Sequence, residues 1–157
     1  MITRLKPFLI AAGLTGIALS SPAAAQSCGG THTADAVRLE TIVTGVRSAK
    51  GEVAFTIYAD DKRKFLSKGG KLARLRVPTT APATQVCFWL PPGRYEVAVY
   101  HDENGDRDFN RTLFAPKEGF AFSNDASTTF GLPKMENARI TLPAGGTTIR
   151  MKMRYPG

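Results

Sequence analysis

Apolar and polar residues alternate along most of this chain, which is the pattern of half-buried β-strands. The alternation is clearest near the C-terminus, where Ile149, Met151 and Met153 are separated by Arg150 and Lys152. The same period of two, with β-branched and aromatic residues between Pro- and Gly-containing turns, predicts seven strands. They are expected at residues 37–46, 52–59, 72–77, 83–90, 93–101, 137–142 and 148–155.

The order of these elements favours an all-β fold. No strong amphipathic helix separates the strands, and a sheet with one polar face must bury its apolar face on a second sheet. The 157 residues suit one domain. We therefore expect a seven-stranded β-sandwich at 37–157, with a long insert between the fifth and sixth strands.

The first 25 residues have the features of a secretory signal peptide. Two basic residues precede an apolar run at 8–19, which is too short to span a membrane. Small residues at Ala23 and Ala25 complete a cleavage site. Cleavage after Ala25 predicts a periplasmic or secreted product, with no membrane span in the mature chain and an irregular lead-in at 26–36.

Two cysteines, Cys28 and Cys87, follow the predicted cleavage site. In an oxidising compartment an even pair favours a disulfide, whereas two thiolates alone would make an incomplete metal site. Cys87 is expected on the side of its strand that faces away from the core. The disulfide therefore predicts an N-terminal segment lying over the sheet.

The strand pattern stops at the stretch 101–126, in an insert of more than thirty residues. Long loops without secondary structure are uncommon in compact domains, and a disordered linker would not carry so many aromatic residues. We therefore expect the polar head of the insert to form a turn and its aromatic tail to pack back onto the sandwich. Its large apolar residues are Phe109, Leu113, Phe114, Phe120, Phe122 and Phe130.

Oxygen-bearing side chains stand at every second position in the head of this insert. They belong to Asp102, Asn104, Asp106 and Asp108. Hard oxygen ligands at this spacing let a short loop wrap around Ca²⁺. Glu118 could fold back as a more distant carboxylate ligand.

Two interpretations of this segment stay open. A helix–loop–helix calcium loop requires Gly and Glu at positions where this chain has Arg107 and Leu113, and the flanks here are strands. A calcium site would therefore be a loop site on a β-sandwich. The alternative is a polar turn of local Asx-type hydrogen bonds that needs no ion.

No convincing catalytic constellation is present. His101 and Asp102 are adjacent on a strand, so their side chains point to opposite faces and are badly placed as a base and its orienting acid. The chain also lacks a G-x-S-x-G nucleophile elbow. We expect a non-enzymatic protein; a hydrolase with His101 as base, in a set with Asp102 and Ser123, is the less favoured alternative.

The composition is basic, with 21 Lys and Arg against 13 Asp and Glu and a net charge of +8. Export argues against nucleic acid as a partner and leaves anionic envelope surfaces or polysaccharides as candidates. The loop at 60–70 and its flank carry the densest basic cluster, which is either an anion-binding patch or a solvated surface. The cluster consists of Lys62, Arg63, Lys64, Lys68 and Lys71.

Several motifs resemble those of the DUF2141 family of bacterial exported proteins. They are LPPGRY at 90–95, HDENG at 101–105, Asp108, PKEGF at 116–120 and FSN at 122–124. The resemblance extends over about 37–155 and implies an Ig-like, transthyretin-like or Cna-B-like β-sandwich with no assigned activity. Ala115 and Ala121 stand where the family commonly has glycine, which implies a stiffer insert.

Together these features predict an exported, non-enzymatic binding or structural module of the cell envelope, with Ca²⁺ as its candidate cofactor. Its expected partner is an envelope polysaccharide or another envelope protein. The alternative is a carbohydrate-binding accessory domain, in which Trp89, Tyr100 or the aromatic residues of the insert stack on sugars.

Overall fold

The computed structural model describes residues 28–112, 116–129 and 131–156. The predicted signal peptide and its cleavage site near Ala25 lie outside these residues, as do Leu113, Phe114, Ala115 and Phe130 of the insert. The described chain forms two β-sheets with a shared hydrophobic core. The all-β sandwich predicted from the sequence is therefore confirmed.

The strands are β1 (Val37–Thr44), β2 (Glu52–Ala59), β3 (Lys71–Pro78), β4 (Ala83–Leu90), β5 (Gly93–Asp102), β6 (Gly119–Phe122), β7 (Arg139–Leu142) and β8 (Thr147–Lys152). A 3-10 turn, Ser123–Asp125, follows β6, and a one-turn helix α1, Met135–Ala138, precedes β7. Neither helical segment of the described chain has the length that a membrane span requires.

The two sheets differ in size and in how their edges are built. The smaller sheet has the order β4-β1-β8, with β1 antiparallel to β4 and parallel to β8. The larger sheet has the order β3-β2-β5-β6, and β7 also pairs with β5. The residues of β5 from Gly93 to Glu96 pair with β7, and those from Ala98 to His101 pair with β6. Two short strands from the insert and its exit therefore share one edge of β5.

Strand alternation places one face of each sheet in the core. Leu39, Phe55, Phe88 and Val97 are each 0% exposed. Burial of one such side chain is worth about 2 kcal/mol, so this interior is the main source of stability for the sandwich. The second face of β2 is also buried, at Ala54, Thr56 and Tyr58. Arg74 of β3 bonds to Thr56 there, and Phe65 of the loop after β2 packs against Tyr58.

Each of the seven predicted strands has a counterpart, but the first ends at Thr44 rather than at 46 and the last at Lys152 rather than at 155. β6 is an additional strand inside the insert, so the described chain has eight strands rather than the expected seven. The sixth predicted strand begins two residues later than expected, at Arg139, because Asn137 and Ala138 belong to α1. β6 brings Phe120 and Phe122 onto the outer face of the larger sheet, as expected for an aromatic tail that packs back onto the sandwich.

A disulfide joins Cys28 to Cys87 of β4, as the cysteine pair predicted, with a Cα–Cα distance of 4.5 Å. The lead-in runs along the edge of β4 rather than over the face of the sheet. The Gly29 N–H donates to the Cys87 carbonyl, and the Trp89 N–H donates to the Gly29 carbonyl, both at 2.8 Å. The N-terminal segment therefore covers an edge strand whose backbone groups would otherwise be free to pair.

Candidate functional site at the acidic loop and the outer groove

The end of β5 presents two titratable residues on opposite faces. His101 is 0% exposed on the core side, with Nε2 2.7 Å from the Lys50 carbonyl and Nδ1 2.7 Å from the Tyr155 hydroxyl. Because a carbonyl oxygen can only accept, Nε2–H donates to Lys50, and Nδ1 is left to pair with the Tyr155 hydroxyl. Both ring nitrogens are engaged inside the fold, while Asp102 points to the outer face.

Asp102 is the buried anchor of the acidic loop, by which we mean residues 102–110. Its carboxylate accepts the N–H of Gly105 on Oδ1 and the N–H of Arg107 on Oδ2, both at 2.8 Å. Oδ2 also accepts a bond from Arg76 Nη1 at 3.2 Å. Gly105 and Arg107 have φ angles of 73° and 65°, in the left-handed region, so the backbone curls around this carboxylate.

Asp106 organises the exposed side of the acidic loop. Its Oδ2 accepts from the amide groups of Asn104 and Asn110 at 2.8 and 2.7 Å, and its Oδ1 accepts the N–H of Asp108 at 2.9 Å. These bonds, with that from Asn110 foremost, hold the pKa of Asp106 below its ordinary value. Asn104 Oδ1 in turn accepts the N–H of Asp106 at 3.2 Å, which completes a pair of Asx-type turns.

Glu118 approaches the acidic loop from the far side of the insert, one residue before β6. It is 6% exposed, and its Oε2 accepts the N–H of Asn110 at 3.0 Å. Burial raises the pKa of Glu118; the bonds from Asn110 oppose this shift, and the charges of Asp102 and Asp106 add to it. The Lys117 N–H also donates to the Asn110 carbonyl at 2.8 Å, so the two limbs of the insert are joined at this point.

The carboxylates of Asp102, Asp106 and Glu118 converge, with one oxygen of each within 4.8 Å of the others. Two oxygens bound to the same Ca²⁺ lie at most about 5 Å apart, so this spacing fits a shared divalent cation. Of the other predicted ligands, Asn104 is bonded to Asp106, and Asp108 contributes its N–H but is not among the three clustered carboxylates. The hydrogen bonds among Asn104, Asp106 and Asp108 also form the polar turn that is the alternative interpretation of this segment.

A groove lies beside the acidic loop, on the face of the larger sheet that is turned away from the core. Two adjoining cavities of about 300 and 320 Å³ open there, and we call them together the outer groove. Both cavities are lined by Phe109, Arg111, Phe120, Phe122 and Leu132.

The floor and one wall of the outer groove depend on two structural elements. Tyr58 and Tyr100 reach the floor because they alternate with core-facing residues of β2 and β5. Phe109, in the acidic loop, stands 5.5 Å from Tyr100 between ring centroids. The hydrogen bonds that order the acidic loop therefore also position a wall of the outer groove.

A comparison with family models matches residues 42–150 to the family described as "Uncharacterized protein conserved in bacteria (DUF2141)". The chain belongs to the DUF2141 family. The match includes most of the sandwich, the acidic loop and β6, which confirms the resemblance seen in the sequence. No curated protein and no solved structure matches the chain.

Beyond the outer groove, the same face of this DUF2141 protein buries a second carboxylate, Glu96. Its side chain is 0% exposed, and neither of its oxygens has a hydrogen-bond partner among the described residues. Arg139 Nε lies 2.8 Å from Asp60 Oδ1 but 3.8 Å from Glu96 Oε1, so Arg139 interacts more strongly with Asp60 than with Glu96. Burial, followed by the charge of Asp60, raises the pKa of Glu96 to about 7, against the opposing charges of Arg139 and Arg94.

The sequence predicts the acidic loop of this DUF2141 protein, and it offers Tyr100 and the aromatic residues of the insert as a binding surface. It does not predict that these residues form a cavity with Arg74 and Arg111, or that Glu96 is buried. Strand alternation assigns Tyr58, Glu96 and Tyr100 to a face that would normally be solvated. Tyr58 and Tyr100 on that face, followed by a Phe-rich insert, are the sequence features that indicate a covered rather than a solvated surface.

Proposed function

We propose that this DUF2141 protein is an exported, non-enzymatic binding or structural module of the cell envelope, whose acidic loop holds a structural Ca²⁺ ion. In this proposal the sandwich is of the Ig-like or transthyretin-like (Cna-B-like) type, and residues 1–25 are the signal that directs it to the periplasm or the exterior. The disulfide between Cys28 and Cys87 supports export, since such bonds persist in oxidising compartments.

The observation that carries the calcium proposal is the convergence of Asp102, Asp106 and Glu118. Three carboxylates meet there beside one guanidinium, that of Arg76. A divalent cation would offset the remaining negative charge, which the raised pKa of Glu118 reflects in part. Asn104, Asp108 and Asn110 are the nearest further oxygen donors in the sequence, and Ca²⁺ accepts six to eight oxygen ligands.

In this arrangement the ion is structural. It would join the end of β5 to the residue before β6 and so fix both limbs of the insert. Because the acidic loop carries Phe109, calcium would also fix a wall of the outer groove. The ion and the binding surface are therefore coupled through one short segment.

Thermal melting in Ca²⁺ and in EDTA tests the proposal, because an ion that binds only the folded state raises its melting temperature. Asp106→Asn should lose the calcium response while keeping an oxygen for its amide partners. Asp35→Asn is the matched control, because Asp35 is exposed and bonded to Thr33 in the lead-in. Identical melting in calcium and EDTA would favour the polar-turn interpretation.

A second candidate function is carbohydrate binding, with an envelope polysaccharide as partner. The outer groove favours it, because Tyr100, Phe109 and Phe120 line one cavity, and aromatic faces stack on sugars. Trp89 lies elsewhere, with its ring 4.1 Å from that of His32, and is partly covered by it. A glycan array probed with the protein and with Phe109→Ala tests this function, and an array without hits would count against it.

The non-enzymatic part of the proposal is supported by the hydrogen-bond partners of His101 and Ser123, which do not include each other. His101 bonds to Lys50 and Tyr155, whereas Ser123 Oγ bonds to the backbone of Val97 and Ala138. Once a substrate is known, retention of activity in His101→Ala would exclude a hydrolase that uses this histidine as its base.

A further inference from the structure

We propose that the outer groove binds a small amphipathic anion, in which an acidic headgroup is joined to an apolar body. The inference rests on the proposed binding function and names its ligand class. It does not require calcium in the acidic loop, because the hydrogen bonds of Asp102 already order that loop and hold Phe109 beside Tyr100.

The outer groove has the walls of a site for an apolar body. Tyr100, Phe120 and Phe122 line it with ring surface, and Leu66 adds an aliphatic side chain from the loop after β2. Single cavities of about 300 Å³ are at the lower end of the range for small-molecule sites. A body of roughly ten to twenty non-hydrogen atoms suits this volume.

The rim of the outer groove exposes apolar surface. Among the described residues, the exposed large hydrophobic side chains are Leu72, Phe109 and Leu132, and two of these three line the groove. Leu132 is 69% exposed and Phe109 is 37% exposed. Clustered exposed apolar residues at a cavity mark a binding surface more often than single scattered ones do.

The charge of the outer groove favours an anion. Arg74 and Arg111 line it, and no acidic residue is among its described lining residues. Arg74 Nε donates to the uncharged Thr56 hydroxyl at 2.8 Å, and neither arginine has an ion pair within the described chain. The nearby arginines Arg76 and Arg107 differ, because they pair with Asp102 and Glu52.

Two guanidinium groups beside an apolar cavity recognise a carboxylate, sulfate or phosphate headgroup through charge-assisted hydrogen bonds. The basic side chains at 62–68, in the loop that contributes Leu66, would attract such anions towards the groove. A neutral sugar fits less well, because it needs several polar partners and most of the lining is aromatic or aliphatic.

Isothermal titration with decanoate, decyltrimethylammonium and 2-naphthoate, each below its critical micelle concentration, tests the inference. Decanoate and decyltrimethylammonium share a tail and differ in charge, while 2-naphthoate offers an aromatic body. We expect one decanoate or naphthoate per chain, and at least tenfold weaker binding of the cation. Arg74→Gln and Arg111→Gln should each weaken anion binding by about tenfold, the loss of one charge-assisted hydrogen bond.

Leu132→Asp should weaken anion binding as well, and its exposure makes a folding defect unexpected. Arg150→Gln is the control, because Arg150 is exposed on β8 of the other sheet. The inference is overturned if neither anion binds, if cation and anion bind equally, or if Arg150→Gln costs as much affinity as Arg111→Gln. The anion titrations are run in Ca²⁺ and in EDTA, beside the thermal melts that test the calcium proposal. If calcium raises the melting temperature but no anion binds, this inference fails and the calcium proposal stands.

Discussion

Asp102 and Glu118 stand on opposite limbs of the insert, yet their carboxylates approach to within 4.8 Å. Asp106 completes the cluster, and Asn110 bonds to both Asp106 and Glu118. The charges of Asp102 and Asp106 on one limb therefore raise the pKa of Glu118 on the other. A substitution in this cluster should change stability differently with and without a bound cation, so single variants can test whether a cation binds.

Removing the charge of Glu118 should have opposite effects in EDTA and in calcium. Burial and the charges of Asp102 and Asp106 disfavour the charged form of Glu118, which raises its pKa. Glu118→Gln removes this buried charge, so in EDTA the variant should melt at a higher temperature than the wild type. In calcium it removes a ligand and should melt at a lower temperature. Differential scanning calorimetry above pH 7 measures both, and a change of the same sign in the two buffers would contradict the account.

Truncating Asp102 should be among the most destabilising changes in the acidic loop. Asp102→Ala leaves Arg76 without its closest carboxylate and leaves the N–H groups of Gly105 and Arg107 without an acceptor. Loss of one partner of a buried pair lowers the free energy of unfolding by about 3 kcal/mol. Asp108→Ala, at an exposed position, should change it by less than about 0.5 kcal/mol. Urea denaturation gives both values, and equal losses would show that Asp102 is not the anchor.

Glu96 predicts a pH dependence of stability. Its pKa is raised in the folded state to about 7 from an ordinary 4.5, so the folded protein binds the proton more tightly than the unfolded chain. The free energy of unfolding should therefore fall as the pH rises from about 4.5 to 7, by at most about 3 kcal/mol from this group.

The variant Glu96→Gln should remove that dependence. It should be more stable than the wild type at pH 8 and close to it near pH 4.5, because the wild-type carboxyl is then protonated. Glu40→Gln, on β1 of the smaller sheet and away from Glu96, is the control and should leave the pH profile unchanged. Urea midpoints across this pH range test the prediction, and parallel profiles for Glu96→Gln and the wild type would refute it.

Reduction of the disulfide should destabilise the fold without changing its topology. The bond closes a loop with a sequence separation of 59, for which chain entropy gives about 4 kcal/mol. The double variant Cys28→Ser and Cys87→Ser should show this loss in urea without a response to dithiothreitol. A wild-type urea midpoint that is the same with and without reductant would disprove it.

The sequence predicts the strands well because alternation is a local property of each segment. β2 and β4 lie at the predicted positions, since each has a period of two between turn residues. The four residues of β6 are too few to show a period, and they pair with β5 only because the insert brings them back. Its pairing is therefore set by tertiary structure rather than by its own pattern.

The candidate site divides in the same way. Asp102 and Asp106 are visible in the sequence because ligand-like side chains repeat within one loop, and Glu118 because its position suits a returning limb. The outer groove is not visible, since Arg74, Arg111 and Phe122 come from separate segments that only the folded chain brings together. Strand alternation places Tyr100 on a face that is usually solvated, so the sequence indicates aromatic residues there but not the cavity that they line.

The most direct test of the central claim is isothermal titration of the purified protein with CaCl₂ after treatment with EDTA and desalting. The account predicts one Ca²⁺ per chain with a Kd on the order of 10⁻⁴ M, lost in Asp106→Asn and retained in Asp35→Asn. No heat of binding at millimolar calcium, or equal binding by the wild type and Asp106→Asn, would contradict it.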